Sequence, residues 1–96
     1  MNKTLEMHRR LSVSNRVTLD TLMLLARDGD FVTRANVSMN PRTPPAALML
    51  LAQDVEVYVR RNVAQHLNTP PDALAALAAN DPDGLVRFRA SINRRT

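Results

Sequence analysis

Arginine is the residue type whose spacing in this sequence could support a binding chemistry. Arg34, Arg60 and Arg87 recur at steps of 26 and 27 residues, and His8 occupies the same position one step earlier. If the steps correspond to stacked structural repeats, these side chains line up on one surface. A stripe of guanidinium groups is the expected footprint of a nucleic-acid phosphate backbone, so the sequence offers a candidate nucleic-acid interface.

Carboxylates recur in step with the arginines and give them a second, structural role. The acidic pairs lie a few residues ahead of the recurring arginines: Asp28 and Asp30, Asp54 and Glu56, Asp81 and Asp83. An acidic residue four positions before an arginine pairs with it on a helix, so we expect each pair to tie a turn to its own helix. The arginines left without a carboxylate are the better candidates for binding nucleic acid or an acidic partner: Arg9, Arg10, Arg61, Arg89, Arg94 and Arg95.

A second candidate surface is apolar. Met23, Leu24, Met49 and Leu50 point away from the main apolar stripe of their predicted helices. Exposed Met-rich surface suits adaptable recognition of a protein partner. The alternative, which we favour, is that a stacked helix touches neighbours on two sides and needs a wide apolar face.

Catalytic and metal-binding chemistry finds no support in the residue pattern. The sequence has no cysteine and two glycines, and it lacks a Ser/His/Asp grouping, a HExxH spacing and a Gly-rich phosphate loop. His8 and His66 lie at different positions of the repeat, so we do not expect them to share a metal. The sequence therefore predicts a protein that is not an enzyme, with no metal and no cofactor.

The elements that position these residues follow from an internal repeat. When the chain is shifted by 26 residues, residues 62–80 nearly overlay residues 36–54, including a Thr-Pro-Pro motif in each. A fixed period in this range is typical of stacked helical units. We predict an all-α α-solenoid of about three and a half two-helix repeats in a single domain, residues 1–96. The approximate repeats are 7–28, 29–54, 55–80 and a truncated 81–96.

Each repeat is expected to contain a short helix followed by a longer one. The shorter helices are predicted at 7–13, 31–39, 57–66 and 85–92, and the longer ones at 19–27, 44–53 and 70–80. Residues 1–6 are expected to be a loose lead-in. Thr43 and Thr69 are the predicted N-caps, because threonine oxygens accept hydrogen bonds from free helix N–H groups.

Size and composition place the chain among small proteins without a membrane span. It has 96 residues, of which 45% are hydrophobic and only 3% aromatic, so the core must come from Leu, Val, Ala and Met. We expect the aromatic residues Phe31, Tyr58 and Phe88 in that core, which argues against stacking on single-stranded bases. The N-terminal residues lack the apolar segment of a secretory signal, so we predict a cytoplasmic protein.

The repeat resembles that of the leucine-rich repeat variant family. The matching motifs are Asp54-Val55-Glu56, Val59-Arg60, Val63-Ala64, Thr69-Pro70-Pro71, Leu74, Leu77-Ala78, Asp81-Pro82-Asp83 and Val86-Arg87, within roughly residues 7–93. The resemblance implies alternating α- and 3₁₀-like helices in a right-handed superhelix of the armadillo/HEAT-like class. Some family members carry an iron–sulfur cluster held by cysteines, which this chain does not have.

These observations favour a protein-interaction module or adaptor that binds a macromolecular partner on its helical-repeat surface. The alternative is binding of a nucleic-acid backbone through the arginines. At the C-terminal end, no covering helix follows the apolar residues of 85–92. Either this last helix caps the stack, or the open end meets a second copy to form a homodimer.

Overall fold

The computed structural model describes residues 2–95, which form helices joined by short loops. Seven α-helices and no strand occur in this range. They are α1 (Lys3–Ser12), α2 (Leu19–Leu25), α3 (Phe31–Met39), α4 (Pro45–Leu51), α5 (Val57–Gln65), α6 (Pro71–Asn80) and α7 (Gly84–Ile92). The all-α fold class is therefore confirmed. The 3₁₀-like helices that the resemblance implied are not found between residues 2 and 95.

The helices form an elongated two-layer stack. The odd-numbered helices pack side by side in chain order, α1 on α3, α3 on α5 and α5 on α7. The even-numbered helices lie against them, for example α2 on α3 and α6 on α7. The resulting body measures 39 × 23 × 15 Å. Equivalent positions of successive odd helices therefore form columns across one layer, while the handedness of the stack and the repeat boundaries stay predictions.

The core consists of the apolar stripes that the period predicts. Leu22, Leu48 and Leu74 are equivalent residues of the even helices, and all three are fully buried. The next positions of the same stripes, Leu51 and Leu77, are also buried. None of these helices exceeds 10 residues, which is below the length at which an isolated helix is marginally stable in water. Packing between repeats is therefore what holds each helix.

Helix starts differ from the prediction at the Thr-Pro-Pro motifs. The N-caps are Pro44 and Pro70, with no side-chain cap hydrogen bond, so the assignment of the preceding threonines as N-caps was wrong. The Thr43 hydroxyl instead donates to the Val37 carbonyl oxygen at 2.5 Å, and Thr69 bonds to Val63 at 2.7 Å. Each buried threonine thus joins the two helices of its repeat.

Two other expectations about the helices were also wrong. α1 already begins at Lys3, because the Asn2 side chain accepts hydrogen bonds from the backbone N–H groups of Thr4 and Leu5. Of the supposed loose lead-in, only Met1 lies outside the described residues. The second helix of a repeat is not the longer one in the first two repeats, since α2 and α4 have seven residues while α1 and α3 have ten and nine.

Candidate partner-binding surfaces

The recurring arginines join successive repeats. Nε of Arg34 lies 2.7 Å from Oδ2 of Asp54, in the loop before α5, and Nε of Arg60 lies 2.8 Å from Oδ2 of Asp81, in the loop before α7. Nη1 of each guanidinium also donates to a carbonyl of the loop before its own helix, that of Asp28 or Asp54, at 2.8 Å. His8 occupies the same position in α1 and contacts Asp28. Arg34 and Arg60 therefore each bind two loops at once.

A second set of ion pairs lies beside the first. Arg9 forms a bidentate pair with Asp30, at 2.8 and 3.0 Å, and Arg61 forms one with Asp83, at 3.0 Å for both bonds. The Arg9 guanidinium holds the pKa of Asp30 well below its usual range. The Arg61 guanidinium and the Val86 N–H together lower the pKa of Asp83 to about 2. These arginines therefore keep both carboxyls charged.

The predicted pairing within each repeat was wrong. The acidic residues sit in the loops that precede the odd helices, and Asp30 and Asp83 accept hydrogen bonds from N–H groups of the first turns as caps. From that position they face the preceding odd helix. The expectation that Arg9 and Arg61 have no carboxylate partner was wrong for the same reason.

The other candidate arginines have no carboxylate partner within residues 2–95: Arg10, Arg89, Arg94 and Arg95. Arg10, Arg94 and Arg95 are exposed, and Arg89 is half-buried. Nη1 of Arg95 donates to the Leu67 carbonyl at 3.3 Å. Sequence reasoning also missed the exposed residues Arg16 and Arg42, although they stand in the register of Arg95.

Buried side-chain amides join the repeats at the other end of the odd helices. Nδ2 of Asn40 donates to the carbonyls of Ser12 and Ser14, both at 3.0 Å. Asn93 makes the equivalent bonds to the repeat before it, and His66 fills this position between them with a 2.8 Å contact from Nε2 to the Asn40 carbonyl. These bonds hold the loops after α1 and α3, which carry Arg16 and Arg42, and they anchor Asn93, which directly precedes Arg94 and Arg95.

The most regular exposed apolar feature lies at this same edge. Val13, Met39 and Ile92 occupy equivalent positions at the C-terminal ends of α1, α3 and α7, and they are 62%, 64% and 63% exposed. Gln65 holds that position in α5. We call these four positions the apolar column, although its member in α5, Gln65, is polar. The sequence analysis overlooked it, although comparing side chains position by position across the repeats would have revealed it.

Two grooves flank the α5 part of the apolar column. One, of about 370 Å³, separates Met39 from Leu67, and the other, of about 350 Å³, is lined by Leu67, Phe88 and Ile92. Gln65 and Leu67 contribute to both. The grooves are thus neighbouring depressions on one surface, and the exposed residue Arg94 lines the second of them.

The predicted apolar surface on the even helices is split. Leu24 is 72% exposed and Met49 is 45% exposed, whereas Met23 and Leu50 are half-buried and pack against the core. Met23 and Leu50 therefore belong to the wide apolar face with which a stacked helix contacts its neighbours. Leu24 and Met49 remain available for a partner.

The aromatic side chains are exposed, which contradicts their expected place in the core. Phe31, Tyr58 and Phe88 are all classed among the exposed apolar residues. The guanidinium of Arg61 lies 5.4 Å from the centre of the Tyr58 ring, which fits a cation–π contact. The argument against base stacking that rested on burial of these rings therefore does not hold.

Neither a metal-binding cluster nor a membrane span is found in the part of the chain that the structure describes. No group of three His, Cys, Asp or Glu side chains is arranged to hold a metal ion there. None of the helices between residues 2 and 95 is long and apolar enough to cross a membrane. Both histidines have hydrogen-bond partners within the stack, as described above.

The fold and its surfaces define an all-α helical-repeat protein, a class built to present columns of equivalent side chains. The model of the leucine rich repeat variant family matches residues 59–83, which run from within α5 through α6 to Asp83. This match supports the resemblance to that family which the sequence pattern indicated. No curated protein and no solved structure matches the chain significantly.

Proposed function

We propose that this chain is a protein-interaction module that binds a segment of a partner protein across the apolar column and its two grooves. The observation that carries the proposal is the recurrence of an exposed apolar side chain at one position of α1, α3 and α7. Leaving such residues in water has no benefit for the isolated fold, and repeated apolar exposure along one surface is typical of interaction sites.

The charges beside the grooves favour an acidic partner segment. Arg42, Arg94 and Arg95 are exposed on the loops that follow α3 and α7, and none of them has a carboxylate partner among residues 2–95. Apolar side chains would supply most of the binding free energy, and the arginines would speed association and fix orientation. The partner segment therefore combines apolar residues with Asp or Glu.

Site-specific photo-crosslinking tests this proposal. A photoreactive amino acid replaces Met39 in one form of the protein and Val55 in a matched control, since Val55 is 85% exposed but lies on the loop before α5, at the opposite edge. We expect a protein to crosslink at 39 and not at 55, and Ile92→Asp to weaken its binding after purification. Equal crosslinking at both positions contradicts the proposal.

Leu24 and Met49 form the other apolar candidate for the same interaction function. If they are the contact, Leu24→Asp and Met49→Asp abolish binding of the crosslinked partner while Ile92→Asp does not. We use Leu24 rather than Leu50 here, because Leu50 packs against the core and its replacement would destabilise the fold.

Binding of a nucleic-acid backbone is the second candidate function, supported by exposed arginines without carboxylate partners among the described residues. Arg16, Arg42 and Arg95 stand in one register position. Fluorescence anisotropy with DNA and RNA across a salt series is the test. Arg42→Ala with Arg95→Ala should reduce the slope of log affinity against log salt by about 2. Absence of binding at low salt excludes this function.

A further inference from the structure

The α7 helix exposes a face that is covered in every preceding odd helix. Ser12, Ser38 and Ala64 occupy one position of α1, α3 and α5, and each is fully buried. Ser91 occupies that position in α7 and is exposed. Arg87 and Phe88 beside it are exposed as well. We call Gly84, Arg87, Phe88 and Ser91 the α7 face.

Arg87 has the backbone anchor of the other recurring arginines. Its Nη1 donates to the Asp81 carbonyl at 2.7 Å, as Arg34 and Arg60 donate to the equivalent loop carbonyls. In those two residues, Nε and Nη2 bind the carboxylate in the loop before the next odd-numbered helix. No carboxylate between residues 2 and 95 forms a salt bridge with Arg87. Its guanidinium therefore has the orientation in which Arg34 and Arg60 bind a carboxylate.

We propose that the α7 face binds a helix of a partner protein whose N-terminal loop carries an aspartate, seated on α7 as α7 is seated on α5. The inference rests on the proposed interaction function, but it assigns a different surface and a more specific ligand. The chain itself supplies the template twice, since Asp54 and Asp81 each lie three residues before the helix that packs on the preceding one.

The residues of the α7 face define what the occupant looks like. Ser91 is small, so a helix can approach α7 to the 8–10 Å axis separation of packed helices. Phe88 stands where α1 and α5 have Arg9 and Arg61, which bind a second carboxylate. The occupant therefore needs one aspartate for Arg87 and an apolar side chain, not a second acid, opposite Phe88.

A second copy of this chain lacks the required aspartate at its exposed N-terminal edge. In the repeat register, Asn2 stands where the later repeats have Asp28 and Asp54. Its side-chain oxygen accepts a backbone hydrogen bond from two residues further on, as those of Asp28 and Asp54 do, but an amide carries no charge for Arg87. Charge complementarity therefore favours a separate acidic protein over head-to-tail self-association.

A peptide copied from the chain tests the α7 face. The probe is a synthetic peptide with blocked ends and the sequence of residues 79–93 carrying Asp83→Leu, which keeps Asp81 and all of α7 and replaces the second acid by an apolar side chain. It is titrated into the isotope-labelled full chain, and binding is followed by NMR. We expect saturable shifts at α7. Arg87→Gln in the protein, or Asp81→Asn in the peptide, should weaken binding about tenfold, and the two together should weaken it no further.

Three further variants test whether the peptide binds specifically at the α7 face. Arg10→Gln removes an exposed arginine far from α7 in the stack and should leave peptide affinity unchanged. Ser91→Trp blocks helix approach at an exposed position and should abolish binding, with circular dichroism checking the fold. Met39→Asp disrupts the groove of the proposed function and should not affect the peptide, so failure of one proposal does not imply failure of the other.

Several outcomes would overturn the inference. They are no saturable binding at millimolar peptide, unchanged affinity in Arg87→Gln, and unchanged affinity for the Asp81→Asn peptide. Sedimentation of the full chain adds a fourth: a dimer that Arg87→Gln dissociates would assign the α7 face to a second copy instead of a separate partner.

Discussion

Arg60 of one repeat binds Asp81 of the next, with Nε 2.8 Å from Oδ2 and side chains only 14% and 3% exposed. The same guanidinium donates to the Asp54 carbonyl, so it holds the loops on both sides of its repeat. Arg34 makes the equivalent pair of contacts one repeat earlier. Ion pairs between neighbouring repeats therefore fix how the repeats are aligned, in addition to the apolar packing.

The pH dependence of stability should reveal the pairing of Asp83 with Arg61. The folded-state pKa of Asp83 is lowered to about 2, so its stabilising contribution is fully present above its unfolded pKa of about 4 and is lost as the pH falls through about 2. We expect the urea midpoint to fall over this window. In Asp83→Asn the fall should be smaller than in the wild type. An identical profile in the two proteins would contradict the ion pair.

Truncation of a core leucine should remove much of the stability. Leu48 is fully buried between repeats, and Leu48→Ala should lower the unfolding free energy by roughly 2–5 kcal/mol. Leu24→Ala is the matched control, because this residue is 72% exposed in the equivalent region of α2 and should change stability by less than about 0.5 kcal/mol. Urea denaturation measures both. Similar costs for the two variants would show that the burial pattern is wrong.

The buried asparagine at the other edge is expected to matter as much as an apolar core residue. Asn40 is 3% exposed, and its amide satisfies two carbonyls of the preceding repeat. Asn40→Ala should cost about 2 kcal/mol, because those carbonyls lose their partner. The exposed residue Asn15 provides a control, and Asn15→Ala should be neutral. Equal stability of both variants would mean that the amide bonds do not hold the loops.

The fold could be predicted from the sequence because each short helix buries its apolar residues against the neighbouring helices of the repeat. Leu22, Leu48 and Leu74 recur with the period, and a short helix with one apolar stripe has no place to bury it except against its neighbour. The all-α class and the stripe follow from those positions alone. The same reasoning could not give the helix starts, because α4 and α6 begin after the N-caps Pro44 and Pro70 without any side-chain cap hydrogen bond.

The candidate site was harder to predict because pairing between repeats depends on loop geometry. The spacing of Asp30 and Arg34 fits a helical pair, yet Asp30 caps α3 and turns towards Arg9. The sequence did contain a signal for this arrangement, because an acidic residue directly before a helix can serve as its N-cap instead of pairing along the helix. The apolar column was likewise present in the register of Val13, Met39 and Ile92, but only the structure showed that these side chains are exposed.

A double-mutant cycle on Arg60 and Asp81 tests most directly whether ion pairs register the repeats. Unfolding free energies are measured for Arg60→Ala, Asp81→Ala, the double variant and the wild type. Each single change should cost about 3 kcal/mol, because it leaves a buried charge unpaired, and the coupling energy should be about 2 kcal/mol. Additive costs, with a coupling energy below about 0.3 kcal/mol, would contradict the account.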